Sequence, residues 1–376
     1  MLHLIATMML CFAPGTLEEA TEASARANSL HASGHEREAA QWFARSMEMW
    51  RQLPDSSENL ALSSLGLADA YRGFGEFAAA EKTAREALDL HVTPELEAAL
   101  RNVLGDMLRE QGRNEEARLL FRKAAALPEI SLARRFDSLI GLADLDRRDG
   151  SLTVSIEEWR EAARIAKMDG SSMREALALR GLGLSWLDSG DLAQATPLLR
   201  RSLDLLERDA ATPPAQLAAA LSCVAAVYRR EQKKALAEEF WLRALQQDRR
   251  SIGEEHPQAA VVMEFLAELY SSEKRYEEAR QQAAHAHSIM VRYFGEGSLP
   301  TAGSMGMIAR VRQCEGDISG AAADYAAALQ IIRDQHATAD QIAGEIMGQY
   351  AVVLARLHRG SEAKEVRAEL KSFRGK

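Results

Sequence analysis

The sequence predicts an all-α protein of about nine antiparallel helix pairs, each packed against the next. Three observations predict it. A turn residue, usually glycine, recurs at intervals of 37 to 42 residues along the 376-residue chain. A small residue stands five positions after each turn, and a second small residue seven further on. Large apolar side chains fall between them at helical spacing, the signature of repeated helical hairpins.

Placing the hinge at Gly34, Gly75, Gly112, Gly150, Gly190, Gln232, Lys274, Gly316 and His358 puts nine repeats in phase. Five positions on stand Ala39, Ala80, Ala117, Ser155, Ala195, Ala237, Ala279, Ala321 and Ala363. Twelve on come Ser46, Ala87, Ala124, Ala162, Ser202, Ala244, Ala286 and Ala328, with Leu370 breaking the rule. Four before the hinge a large side chain is expected, and Leu30, Tyr71, Leu108, Trp186, Tyr228, Tyr270 and Leu354 supply it, whereas Asp146 and Arg312 do not fit.

The reason is steric. Two helices joined by a tight turn approach closely only where one carries small side chains, and a bulky residue then fills the groove beside the contact. Nine positions after the hinge that residue is Phe43, Phe121, Trp159, Leu199, Trp241 or Tyr325. With apolar stripes on both faces, each hairpin has to stack on its neighbours.

Between residues 17 and 374 this pattern resembles the tetratricopeptide repeat (TPR), with its aromatic, small-residue and alanine signatures. The 42-residue spacing of the later repeats and the linkers IGEEHP (252–257) and YFGEGSLP (293–300) resemble the longer kinesin-light-chain type. The resemblance implies a right-handed alpha-solenoid superhelix whose concave groove is lined by the first helix of each pair. It divides the chain into a lead-in at 1–16, repeats one to five at 17–210, and repeats six to nine at 211–376 with a polar capping helix. Pro213 and Pro214 precede repeat six, where a change of superhelical pitch is expected.

Composition narrows the partners. The net charge of −9 and aromatic content of 6% argue against nucleic acid, which needs a basic face or stacking rings. Cys11, Cys223 and Cys314 match no metal spacing, and no apolar run approaches the length of a membrane span. At the N-terminus, Leu4 to Ala13 form an apolar run ended by Pro14 and Gly15. It has the length of a signal-peptide core but no preceding Lys or Arg, which leaves cytoplasmic and exported locations both open.

Neither a phosphate loop nor a nucleophile elbow, H-E-x-x-H or C-x-x-C occurs, so no catalytic residue, metal or cofactor is assigned. RGLGLSW (180–186) reads as part of a helix, because Leu179, Leu182 and Trp186 share one face. In EEARQQAAHAHSIM (277–290), His285 and His287 lie about 200° apart around a helix and flank the packing residue Ala286. His31 and His35 straddle the Gly34 hinge and leave different helices.

The functional surface is therefore sought on the first helices. Six positions before the hinge stand Asn28, Asp69, Asp106 and Asp144, and three before it Arg72, Arg109 and Arg147, so repeats two to four each carry D-x-x-R on one face. Asn102 lies one turn before Asp106, and Arg180 occupies the matching place in repeat five. Two readings follow: an ion-pair ladder between stacked helices, or a polar strip for an extended peptide, with Asp accepting backbone N–H groups and Arg binding carbonyls or a carboxylate. The two-lysine, two-asparagine carboxylate clamp of chaperone-binding TPR proteins is not matched, because the lysines are missing. From repeat five the column turns apolar at Leu184, Ala226 and Val352, which fits a second ligand zone or self-association. The leading expectation is a non-catalytic scaffold for a peptide or partner protein, and the alternative is a ligand-sensing module acting on an output protein in trans.

Overall fold

The computed structural model describes residues 16–251, 253, 255–335 and 341–374. The apolar lead-in with His3 and Cys11, and His336, lie outside the described residues. Every regular element among the described residues is an α-helix, and the chain forms two compact units, one ending at Asp191 and one beginning at Leu192. The first unit contains α1 (Leu17–Ala32), α2 (Glu36–Arg51), α3 (Ser57–Gly73), α4 (Phe77–Leu88), α5 (Pro94–Glu110), α6 (Asn114–Ala125), α7 (Leu132–Arg148), α8 (Leu152–Asp169) and α9 (Ser172–Asp188). The second contains α10 (Leu192–Arg208), α11 (Pro214–Arg230), α12 (Lys234–Ser251), α13 (Pro257–Ser272), α14 (Tyr276–Phe294), α15 (Leu299–Glu315), α16 (Ile318–Asp334), α17 (Gln341–Arg356) and α18 (Gly360–Arg374). The linkers are shorter than the sequence implied. Tyr293 and Phe294 still belong to α14, and Leu299 and Pro300 already belong to α15.

All nine hinge residues have a positive φ, from 58° at His358 to 105° at Gly316. In each, the N–H after the hinge donates to the carbonyl four residues before it, at 2.8 to 3.0 Å, closing the helix end as a six-to-one C-cap. Glycine meets this conformation without strain, whereas Gln232, Lys274 and His358 adopt it against the preference of an L side chain. At the start of α1, Thr16 and Glu19 form a reciprocal capping box.

Around the hinges the small-residue columns are closed. The residue five after the hinge is 0% exposed in eight repeats and 2% in the ninth, Ala363. Twelve after it, positions Ser46 through Ala328 are equally buried, and Leu370 packs at the edge of the last core. The bulky residue nine after the hinge then presses on the next repeat. Phe121 lies over Gly141, where an added Cβ would stand 2.6 Å from its ring, and Trp159 lies over Gly181 at 2.3 Å. In the second unit Trp241 instead stacks on Phe265, with centroids 5.5 Å apart and planes inclined by 18°. Gly141, Gly181 and Phe265 all occupy the place nine before their hinge, so the ring and the residue beneath it are chosen together.

The two residues that broke the bulky column are held by charge. Asp146 is buried and accepts from Arg118 Nε at 3.0 Å, with Asp149 and Glu115 completing the shell of that guanidinium. Arg312 reaches Asp324 of α16 at 2.9 Å. Glu158 shares the Asp146 site. Burial, reinforced by the charge of Asp146 and a hydrogen bond to it, pushes the Glu158 carboxyl up to about 7 against the pull of Arg122 and Arg118. Asp248 is also buried without a partner for either oxygen, and burial raises it to about 6.

Two expectations follow. Gly141→Ala forces the Phe121 ring to move and should cost about 1–3 kcal/mol, read as a lower urea midpoint by circular dichroism. Glu158 keeps its proton to higher pH folded than unfolded, so its contribution is complete below the unfolded pKa and is lost as pH rises through about 7. Melting temperature should fall between pH 5 and pH 8, with Glu158→Gln removing on the order of 1 kcal/mol of that slope.

Candidate functional site

Within the first unit the first helices of successive repeats touch, α1 on α3, α3 on α5, α5 on α7 and α7 on α9. Together they present one continuous face. Its residues stand thirteen, ten, nine, six and three positions before each hinge, spacings that keep one side of a helix.

The D-x-x-R pairs lie on this face and bridge repeats. Arg72 holds Asp69 at 2.7 Å and Glu110 at 3.0 Å, while His31 Nε2 stands 3.3 Å from the same Asp69. Arg109 holds Asp106 at 2.8 Å and reaches forward to Asp144 at 2.5 Å. Arg147 holds Asp144 at 3.1 Å and reaches Asp188 at 2.7 Å. Each arginine thus binds the aspartate of its own turn and an acid of the next repeat.

The two central aspartates differ. Burial alone would raise Asp144, but Arg148, Arg147 and Arg109 overcome it and hold its carboxyl below the usual value. Asp106 has Arg109 as its close partner, and burial prevails there, raising it. Other groups near Asp106 are also incompletely matched. Asn102 accepts from Ser138 through Oδ1 at 2.8 Å, yet its Nδ2 has no partner, and neither does Arg109 Nε.

Six of the sequence-selected residues, Asn102, Asp106, Arg109, Asp144, Arg147 and Arg180, line one cleft of about 480 Å³. Asn28 and Asp69 line a neighbouring cleft floored by Phe43, Trp50 and Gly66. Arg72 lines neither cleft, being committed to Asp69 and Glu110. Sequence reasoning missed Arg134 and Asp137, which line the first of these clefts with Ile140 and Leu177. The signal was present: Asp137 stands thirteen before its hinge, in the column of Ala99 and Leu177.

The histidines of α14 are accounted for by packing. His287 Nδ1 meets Ser304 of α15 at 2.9 Å, His285 approaches Glu255 at 3.6 Å, and Ala286 between them is fully buried. Among the described residues no three His, Cys, Asp or Glu side chains gather as a metal cage, and no helix is long and apolar enough to cross a membrane.

This architecture is that of a solenoid built from helical hairpins. Family models for the tetratricopeptide repeat match residues 98–127 and 216–290, which are the third repeat and the sixth and seventh in the hinge register. The chain thus carries tetratricopeptide repeats at these positions. No curated protein matches it in sequence. Among solved structures, the Rap protein complexed with Competence and Sporulation Factor is 13% identical, with a TM-score of 0.64 over 95% of this chain and 98% of that chain. Cut9 with Hcn1 from the APC/C is 14% identical, TM-score 0.55, over 82% of this chain and 51% of that one. A Podosopora anserina kinesin light chain protein with nearly identical TPR-like repeats is 17% identical, TM-score 0.45, over 54% and 96%. These likenesses are likenesses of fold.

The unequal aspartates give a stability prediction. Asp144→Asn leaves three guanidinium groups short of an anion and should cost about 2–3 kcal/mol. Asp106→Asn should cost less than about 1 kcal/mol, because it removes a charge that burial already disfavours. Urea titrations of the two variants side by side test the difference.

Proposed function

We propose that this protein is a non-catalytic scaffold that holds an extended peptide, or an extended segment of a partner protein, in the polar cleft of its first unit. The observation that carries the reading is the pairing of a fixed charge ladder with unspent hydrogen-bonding capacity beside it. Arg147 and Asp144 are locked by their partners, whereas Asn102 Nδ2 and Arg109 Nε lack one and Asp106 is under-neutralised. A peptide backbone carries one N–H and one carbonyl per residue and suits such a row, because its donors match the aspartate and its carbonyls match the amide and guanidinium. Alternating acid and arginine favours mixed-charge segments over polyanions.

The fold supports the same reading. TPR solenoids are interaction modules, and the Rap structure matched along most of this chain was solved with a bound factor.

The test compares affinity purification on the wild type with an Asp106→Ala, Arg109→Ala double variant. Partners held in this cleft should be recovered at least tenfold less on the variant, with both baits folded by circular dichroism. Equal recovery of every partner would remove this cleft from the mechanism.

A further inference from the structure

We propose that the inner face of the second unit holds a separate site for a lysine side chain of a partner peptide, with its aliphatic stem along an apolar wall and its ammonium at Glu264. A cleft of about 470 Å³ lies there among α13, α15 and α17. Its wall includes Val261, Phe294, Met307 and Ile346, of which Val261 and Phe294 remain 41% and 44% exposed. Large apolar side chains left this open beside a concave pocket form a surface that gains by being covered.

The charge of the cleft determines what covers it. Arg310 is already shared between Glu268 at 2.6 Å and Glu345 at 3.3 Å, and Arg229 holds Glu268 at 2.6 Å. Glu264, on the same wall, forms no ion pair among the described residues, and its Oε1 has no hydrogen-bond partner. Of these three glutamates, Glu264 alone lacks a guanidinium partner among the described residues. Burial, with the charge of Glu345 adding to it, raises the Glu264 carboxyl to about 7.

An aliphatic chain ending in an ammonium matches both features. The stem covers the wall, and its three donors serve Glu264, Glu345 and Gln349, all of which line the cleft. A planar guanidinium is less suited, because Arg310 already takes the position between two glutamates. The peptide as the source of this lysine rests on the scaffold reading above. The site itself does not.

The test uses n-pentylamine as the lysine mimic and 1-pentanol as its neutral counterpart. Binding is followed by methyl resonances of the full chain labelled at methionine, with Met290 and Met307 as reporters in the cleft. The amine should shift both reporters saturably and bind at least tenfold tighter than the alcohol. Glu264→Gln should abolish that preference while leaving the fold intact, since it removes an unpaired acid and keeps the shape of the side chain. Gly303→Leu should abolish binding of both probes, because its Cβ would lie 3.6 Å from Ile342 and the added side chain fills the slot. Equal affinity of amine and alcohol, a preference surviving in Glu264→Gln, or unmoved Met290 and Met307 each overturns the proposal. The probe is no peptide and the reporters sit in the second unit, so such a failure leaves the first cleft's role standing.

Discussion

The constraint on which the molecule depends is the close contact of two helices at the small residue five positions past each hinge. A left-handed hinge turns the chain back within a few residues, and the antiparallel partners meet where the side chain is alanine or serine. A larger side chain there would separate the helices, so the rings nine past the hinge would lose their seats. The same constraint explains the three non-glycine hinges. Gln232, Lys274 and His358 keep the strained φ because the helix-closing hydrogen bond and the buried alanine beyond it leave no alternative path.

Once the hairpins are fixed, the exposed face of the first helices is what remains free to vary. In the first unit it carries arginines and aspartates paired in a ladder, and in the second it carries apolar side chains beside the Arg310–Glu345 pair and Glu264. The two faces are built from the same columns, so the contrast lies in side-chain chemistry and not in backbone form. Fold alone decides none of this.

Much of the architecture was legible in the sequence because its signals are steric and local. The hinge, five-past and twelve-past columns each name a position where size or backbone angle has one solution, and the nine hinges appear where the register places them. The chemistry of the face was only partly legible. Reading one column of aspartates and one of arginines found the ladder, but Arg134 and Asp137 of the cleft stand sixteen and thirteen before their hinge, outside both columns. Glu264 stands ten before Lys274, the one acid in a column with Ser24, Leu65, Asn102, Ile140, Arg180, Ser222, Gly306 and Gly348, so no recurrence marks it. Asp146 looked like a defect because its compensating partner, Arg118, lies in the preceding repeat, 28 residues away. Repetition reveals what every repeat must share and conceals what one repeat does differently.

The forward reach of each arginine has an evolutionary corollary. Arg109 pairs with Asp106 of its own helix and Asp144 of the following one, and Arg147 pairs likewise with Asp144 and Asp188. Charge balance is consequently a property of adjoining repeats and of no single one. Duplicating, deleting or exchanging one repeat would strand an acid or a base at each new junction even where the alanine contacts fit perfectly. Descent along this part of the chain is therefore expected to proceed by compensated pairs of substitutions across junctions, and the ladder acts as a memory of the order in which its repeats were joined.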